Sequence, residues 1–153
     1  MSGTDPWSVA LALLARRDRS EGELAERLRR KGFAENAIAA TLERCRELGY
    51  LDDGRFARLR ARSLMSNGRA VGGRLRAELK RQGIDEDLAR AAAEEAEHDI
   101  DRERLLAELL ERRFSGFSYA QADERQRRRV IHYFLRRGFP FEQILACCRN
   151  SDT

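Results

Sequence analysis

One pattern of apolar residues and glycine occurs three times along the chain and limits the possible folds more than any other feature. In each copy, apolar residues stand eight and four positions before a glycine, and another apolar residue follows the glycine directly. The copies centre on Gly32, Gly83 and Gly138, at intervals of 51 and 55 residues. A spacing of four places apolar residues on one helix face, and glycine readily ends a helix in the left-handed conformation. The pattern therefore predicts three equivalent helix ends, each followed by a bend.

Signals for the start of helices are frequent between these glycines. Asp5 before Pro6 is typical of an N-cap followed by proline in the first turn, and Ser20 with Glu23 has the spacing of a capping box. Further start signals are Asp52 or Asp53, Ser118 with Gln121 as a second capping box, and Pro140. No segment alternates apolar and polar residues over the length of a strand. The sequence therefore predicts an all-α fold of about nine helices.

The same pattern divides the chain into three similar units. Ile38, Leu88 and Ile144 follow the glycines by five or six residues, and each begins a further helix. We interpret the chain as three tandem three-helix repeats, at residues 5–50, 53–97 and 99–150. A unit of about 50 residues buries little surface alone, so neighbouring repeats should pack into an elongated or curved array rather than form one helical bundle. The expected core residues are Leu24, Leu28 and Leu42, then Phe56, Leu75, Leu79 and Leu88, then Val130, Phe134 and Ile144.

Basic charge is concentrated in the middle repeat. The whole chain has a formal net charge of +4, yet residues 54–90 carry ten basic and four acidic side chains. Three of the arginines recur at helical spacing, so they form a stripe that a phosphate backbone or an acidic protein surface would attract. The predicted binding residues are Arg55, Arg58, Arg62, Arg69, Arg74, Arg76, Lys80 and Arg81. A second basic cluster comprises Arg125, Arg127, Arg128, Arg129, Arg136 and Arg137.

The sequence contains no recognisable catalytic or metal-binding motif. Its three cysteines lack metal-ligand spacing, and no nucleotide-binding or hydrolase signature occurs. The pair Asp52 and Asp53 suggests a metal-dependent nuclease, although adjacent aspartates before a helix are more typical of a cap. Gly72 and Gly73 precede a helix expected to start near Arg74, and this start offers at most a weak phosphate site. We therefore expect no enzyme activity, no metal and no cofactor, and a monomer in the cytoplasm with no membrane segment.

Several segments, taken in order, resemble the RecX regulatory proteins. They are LALLARRDRSEGELAERLRRKGF and LGYLDD within residues 11–53, the RFA tripeptide that begins at Arg55, and RLRAELKRQGI at residues 74–84. The match is strong over about residues 10–90 and looser beyond. The resemblance implies tandem three-helix repeats, in agreement with the glycine pattern.

The resemblance also implies a function. RecX proteins bind the RecA recombinase, mostly as its filament on DNA, and modulate its ATPase, strand-exchange and coprotease activities in DNA repair, recombination and the SOS response. Most are described as inhibitors without enzymatic activity of their own. By this resemblance the chain is expected to bind a RecA-type filament, with direct contact to single-stranded DNA left open.

Two other functions remain open at this point. A helical DNA-binding transcription regulator is one, because three-helix units with basic helices resemble homeodomain-like modules. Sequence-specific DNA binding at high salt would favour it. A nuclease that uses Asp52 and Asp53 is the other, and metal-dependent DNA cleavage would reveal it.

Overall fold

The computed structural model describes residues 5–153, and every regular element within this range is an α-helix. The nine helices of this range confirm the all-α prediction. They are α1 (Pro6–Arg16), α2 (Glu21–Arg30), α3 (Glu35–Glu47), α4 (Asp53–Ser66), α5 (Gly72–Arg81), α6 (Glu86–Asp99), α7 (Arg102–Arg113), α8 (Glu124–Leu135) and α9 (Phe141–Asn150).

Polar side chains begin most of these helices. Asp5 accepts a hydrogen bond from the Ser8 N–H, and Pro6 is the first residue of α1, as predicted. Ser20 and Glu23 form the expected reciprocal capping box at α2. Asp52, Asp85 and Asp101 cap α4, α6 and α7 through their carboxylates. Each cap satisfies backbone N–H groups that have no partner within the helix.

Two predicted helix starts lie elsewhere. Ser118 and Gln121 do not begin a helix: the Gln121 N–H donates to the Ser118 hydroxyl at 3.4 Å, but the segment is only a turn, in which the Asp152 carboxylate accepts the N–H groups of Tyr119 and Ala120. The capping box of α8 is formed instead by Asp123 and Gln126. Pro140 is the extended N-cap residue of α9 rather than part of its first turn.

The three glycines of the sequence pattern occupy equivalent helix ends. Gly32, Gly83 and Gly138 have φ angles of 91°, 88° and 101°. In each case the next residue donates its N–H back to the apolar residue of the last turn, at 3.2 to 3.3 Å, as from Phe33 to Leu28. This geometry is that of a Schellman-type helix end, and it confirms the predicted repeat.

The buried residues form two separate apolar clusters. One belongs to the first repeat and includes Leu24, Leu28 and Ile38. The other is continuous through α4 to α9, so the second and third repeats share a core that contains Leu79 and Phe134. Of the expected core residues, seven are buried, and three lie at the edge of the clusters and are only partly buried, namely Leu42, Phe56 and Leu88.

The two junctions between repeats are built alike. The Ser20 hydroxyl, at the start of α2, donates to the Gln82 carbonyl oxygen at the end of α5 over 2.5 Å. The Val71 N–H, at the start of α5, donates to the Arg137 carbonyl oxygen at the end of α8 over 2.8 Å. In the first and second repeats, the start of the second helix thus contacts the glycine-containing end of the second helix in the following repeat. Both junctions use the same contact, so the repeats follow one another in one direction.

The exposed surface is that of an extended molecule. It measures 9658 Å², whereas a compact monomer of this mass exposes roughly 7,900 Å². Within residues 5–153, no closely packed pair of helices joins the first and third repeats. An array of three repeats explains both observations, and a single bundle explains neither.

Candidate interface on the second repeat

The arginines of α4 differ in how they are paired. Arg62 forms an ion pair with Asp99 at the end of α6, and Arg60 donates to the Gln82 side chain at 3.0 Å. Arg55 and Arg58 are exposed, and no carboxylate in the described part of the chain lies within ion-pair distance of either. The stripe predicted on α4 therefore offers two free guanidinium groups rather than three.

On α5, acidic side chains compensate most of the basic charge. Glu78 forms ion pairs with both Arg74 and Arg81, at 3.4 and 3.1 Å. Lys80 lies 3.7 Å from Glu86, the first residue of α6. Arg76 has no ion pair within residues 5–153 and lines a shallow depression between α5 and α6. This leaves four of the eight predicted binding residues without an acidic partner in the described range: Arg55, Arg58, Arg69 and Arg76.

The N-terminus of α5 is already occupied by a side chain. The helix begins at Gly72, two residues before the expected start at Arg74. The Gly72 N–H donates to the Glu97 carboxylate over 2.6 Å, and Glu97 also pairs with Arg102 at 2.8 Å. This carboxylate takes the place that an anion would occupy. Gly72 lies at the junction between repeats, where a Cβ atom on it would be 3.6 Å from the Gly138 carbonyl oxygen.

Asp52 and Asp53 both have structural partners. Asp52 caps α4 by accepting the Arg55 N–H at 3.0 Å. Asp53 accepts the Glu21 N–H of the first repeat at 2.9 Å. Within the described residues, no group of three or more His, Cys, Asp or Glu side chains has an arrangement that would hold a metal ion. The pair therefore links and caps helices.

Replacing Asp53 by asparagine is expected to stabilise the protein at neutral pH. Burial raises the pKa of the Asp53 carboxyl, so its ionised form costs folding free energy. The stability of the wild type should fall as pH rises through the interval between the ordinary aspartate pKa and this raised pKa. Asparagine keeps the oxygen that accepts the Glu21 N–H but carries no charge. Urea unfolding at pH 7 and below about pH 3.9 checks this, and an equal difference at both values would contradict it.

Two of the six arginines in the second cluster help to hold the third repeat together, whereas Arg125, Arg128, Arg129 and Arg136 are exposed. Arg127 lies over the Tyr119 ring at 4.3 Å and donates to the Tyr119 carbonyl oxygen at 2.8 Å. Arg137 lies over the Tyr133 ring at 3.5 Å and donates to the Tyr133 carbonyl oxygen at 2.8 Å. Guanidinium groups in such stacked positions are committed to the fold.

A third basic group was not predicted from the sequence. Arg17, Arg19, Arg27 and Arg30 of the first repeat meet Arg81 of the second repeat in a recess at their junction. In the sequence these residues belong to separate repeats, and the net charge of the first repeat is close to zero. Only the contact between the repeats brings the five together.

None of the helices between residues 5 and 153 combines the length and the apolar character needed to cross a bilayer.

Three family models match the chain in order. They describe the first, second and third three-helix domains of RecX, and they match residues 7–45, 52–92 and 101–148. The "Regulatory protein RecX" of Syntrophotalea carbinolica is 50% identical over 136 residues, which is 89% of each chain. That of Trichlorobacter lovleyi is 37% identical over 141 residues, which is 92% of each chain.

Solved structures agree in fold. The crystal structure of RecX from Lactobacillus salivarius matches with a TM-score of 0.70 at 21% identity, over 96% of each chain. A crystal structure of regulatory protein RecX matches with a TM-score of 0.71, over 93% of this chain and 69% of the other. With three domain models matched in order and relatives of up to 50% identity over most of their length, this chain belongs to the RecX family of regulatory proteins.

Proposed function

We propose that this protein binds a RecA-type recombinase, chiefly as its filament on DNA, and lowers its ATPase, strand-exchange and coprotease activities. The observation that carries the proposal is membership of the RecX family across all three repeats. We further propose that it acts in the cytoplasm as a monomer and catalyses no reaction of its own.

The arrangement of the repeats supports binding to a filament. A filament presents the same surface at regular intervals, and an array of similar repeats presents several similar faces along one direction. Several weak contacts made together raise the overall affinity well above that of any single one. An extended protein can therefore span more than one recombinase subunit without a single strong site.

The second repeat supplies the best charged face for such contacts. Arg55, Arg58, Arg69 and Arg76 are free of acidic partners in the described structure, so they retain their charge for an external anion. Their targets in this proposal are acidic recombinase side chains or phosphates of single-stranded DNA.

The alternative of a transcription regulator has less support. In a helix-turn-helix protein, the helix that follows the turn enters the major groove and carries the residues that contact bases and phosphates. In the second repeat that helix is α6, whose sequence is EDLARAAAEEAEHD. It carries six acidic residues and one arginine, so a DNA backbone would repel it. The basic charge of this repeat lies on α4 and α5.

The test is recombinase ATPase activity on single-stranded DNA, titrated with wild-type protein and with the triple variant R55E/R58E/R76E. The three arginines have no ion pair to lose, so their reversal should leave the helicity unchanged. We expect the variant to require at least about 10-fold more protein for half-inhibition, because several attractive contacts become repulsive. The difference should shrink as salt concentration rises.

A matched control reverses three exposed arginines outside this face that also have no ion pair in the described structure, in R112E/R125E/R128E. This control should inhibit as well as the wild type. Equal inhibition by wild type and R55E/R58E/R76E would remove the second repeat's basic face from the mechanism. Absence of any effect of the wild-type protein on the recombinase would remove the proposed function.

A further inference from the structure

The recess between the first and second repeats has the form of a small anion pocket. Its volume is about 250 Å³, and its wall includes the backbone of Gly22 and Gly83 where α2 meets the end of α5. A Cβ atom on Gly22 would come within 2.9 Å of the Gly83 carbonyl oxygen, so these two backbones are in direct contact. The remaining wall is formed by five arginines, two glutamates and one glutamine: Arg17, Arg19, Arg27, Arg30, Arg81, Glu23, Glu26 and Gln82.

Both glutamates of the recess are already paired. Arg17 lies 2.9 Å from Glu23, and Arg30 lies 3.2 Å from Glu26. Arg81 is paired outside the recess with Glu78. In the described structure no carboxylate is within ion-pair distance of Arg19 or Arg27. The recess therefore carries two guanidinium charges that its own acidic residues leave unbalanced.

Arg19 is the most informative of these residues because it is buried. Only 8% of its surface is exposed, and its Nε atom donates to the Leu13 carbonyl oxygen at 3.3 Å. Its two terminal nitrogens have no acceptor among residues 5–153. Burial, followed by the neighbouring charges of Arg17 and Arg27, lowers the pKa of Arg19. The unpartnered terminal nitrogens keep some exposed surface, so they face the open recess, and the neighbouring guanidinium charges favour an anion there.

We propose that this recess binds a phosphate group, which Arg19 and Arg27 hold directly while Arg17 and Arg81 complete the rim. The planar guanidinium fork matches pairs of phosphate oxygens. Two guanidinium groups that line one recess suit a tetrahedral anion better than a planar carboxylate, which one fork satisfies. The phosphate comes either from free inorganic phosphate or from the backbone of single-stranded DNA. Through Arg81 on the rim, the bound phosphate also contacts the second repeat, across a junction that has no shared apolar core.

The experiment measures thermal unfolding in sodium phosphate and in sodium chloride at equal ionic strength and pH. At phosphate concentrations well above the dissociation constant, we expect the wild type to gain about 2–4 °C over chloride. R19Q/R27Q should lose most of this gain. Phosphate also stabilises proteins by exclusion from their surface, so the control R90Q/R112Q, which removes the same charge elsewhere, should keep the full gain.

A second variant and a second ligand make the outcome decisive. R27Q alone changes only an exposed side chain, so a reduced gain in this variant cannot arise from misfolding.

Fluorescence anisotropy with an oligothymidylate then separates the two sources of phosphate, which are free inorganic phosphate and the DNA backbone. About 10-fold weaker binding by R27Q than by R90Q/R112Q would identify a DNA phosphate, and equal binding would identify free phosphate. An equal phosphate gain in wild type, R27Q and R19Q/R27Q would overturn the site, as would stabilisation by polyglutamate but not by phosphate. Neither readout involves the recombinase, so failure here is distinct from failure of the proposed function.

Discussion

Alanine at Gly138 is expected to destabilise the protein by about 2–5 kcal/mol, whereas alanine at the equivalent Gly32 should cost only about 1–2 kcal/mol. Both glycines end the second helix of a repeat with positive φ, so both substitutions incur the strain of a left-handed backbone. The surroundings differ. No other atom lies within 4 Å of a Cβ placed on Gly32, whereas a Cβ on Gly138 would overlap the Val71 carbonyl oxygen and lie 3.0 Å from the Arg74 Cβ. The excess cost at Gly138 measures how closely the second and third repeats approach.

Urea unfolding followed by far-UV circular dichroism measures both free energies. G32A serves as the control for backbone strain, because it shares the conformation of Gly138 without its neighbours. G83A should fall between the two, since its Cβ would come within 2.8 Å of the Ser20 hydroxyl and 3.1 Å of the Glu23 nitrogen and the Gly22 Cα, which is less severe than the overlap at Gly138. If G138A and G32A lowered the unfolding free energy equally, the repeats would not make this contact in solution.

Local chemistry explains why much of the fold could be predicted from the sequence. A glycine that follows apolar residues at a spacing of four defines a helix end almost without regard to the rest of the protein. Capping residues such as Ser20 and Asp52 act within three residues of their own position. The prediction was wrong at Ser118, whose segment is a turn that contacts Asp152, more than 30 residues away. Local spacing rules do not include such contacts with distant residues.

The candidate site was harder to predict for the same reason. Sequence windows identified the basic residues of the second repeat but could not identify their partners on another helix, such as Asp99 for Arg62. The arginine recess at the first junction was missed because its residues come from two repeats and are mixed with glutamates along α2. Which charges remain unbalanced is a property of tertiary packing.

The second large effect is expected from L28A, which should unfold the first repeat while the other two repeats stay folded. Leu28 is fully buried in the first cluster, and its truncation to alanine should cost about 2–5 kcal/mol. A unit of this size has little stability of its own. Its connection to the second repeat is polar, through the Ser20 hydroxyl and the Glu21 N–H, and the apolar core of α4 to α9 does not extend into it. The shared core should therefore survive the loss.

Trp7 makes this local unfolding measurable. It is the single tryptophan of the chain and lies in the first repeat, where Arg44 covers its ring at 3.9 Å. In L28A, the tryptophan fluorescence should change at a lower urea concentration than the main loss of helical circular dichroism, because the two probes report different cores. L79A, which truncates an equally buried leucine in the shared core, is the matched control and should shift the circular dichroism transition instead. Coincident transitions of both probes in L28A would show that the three repeats unfold as one cooperative unit, and the polar junction would then be strong enough to couple two separate cores.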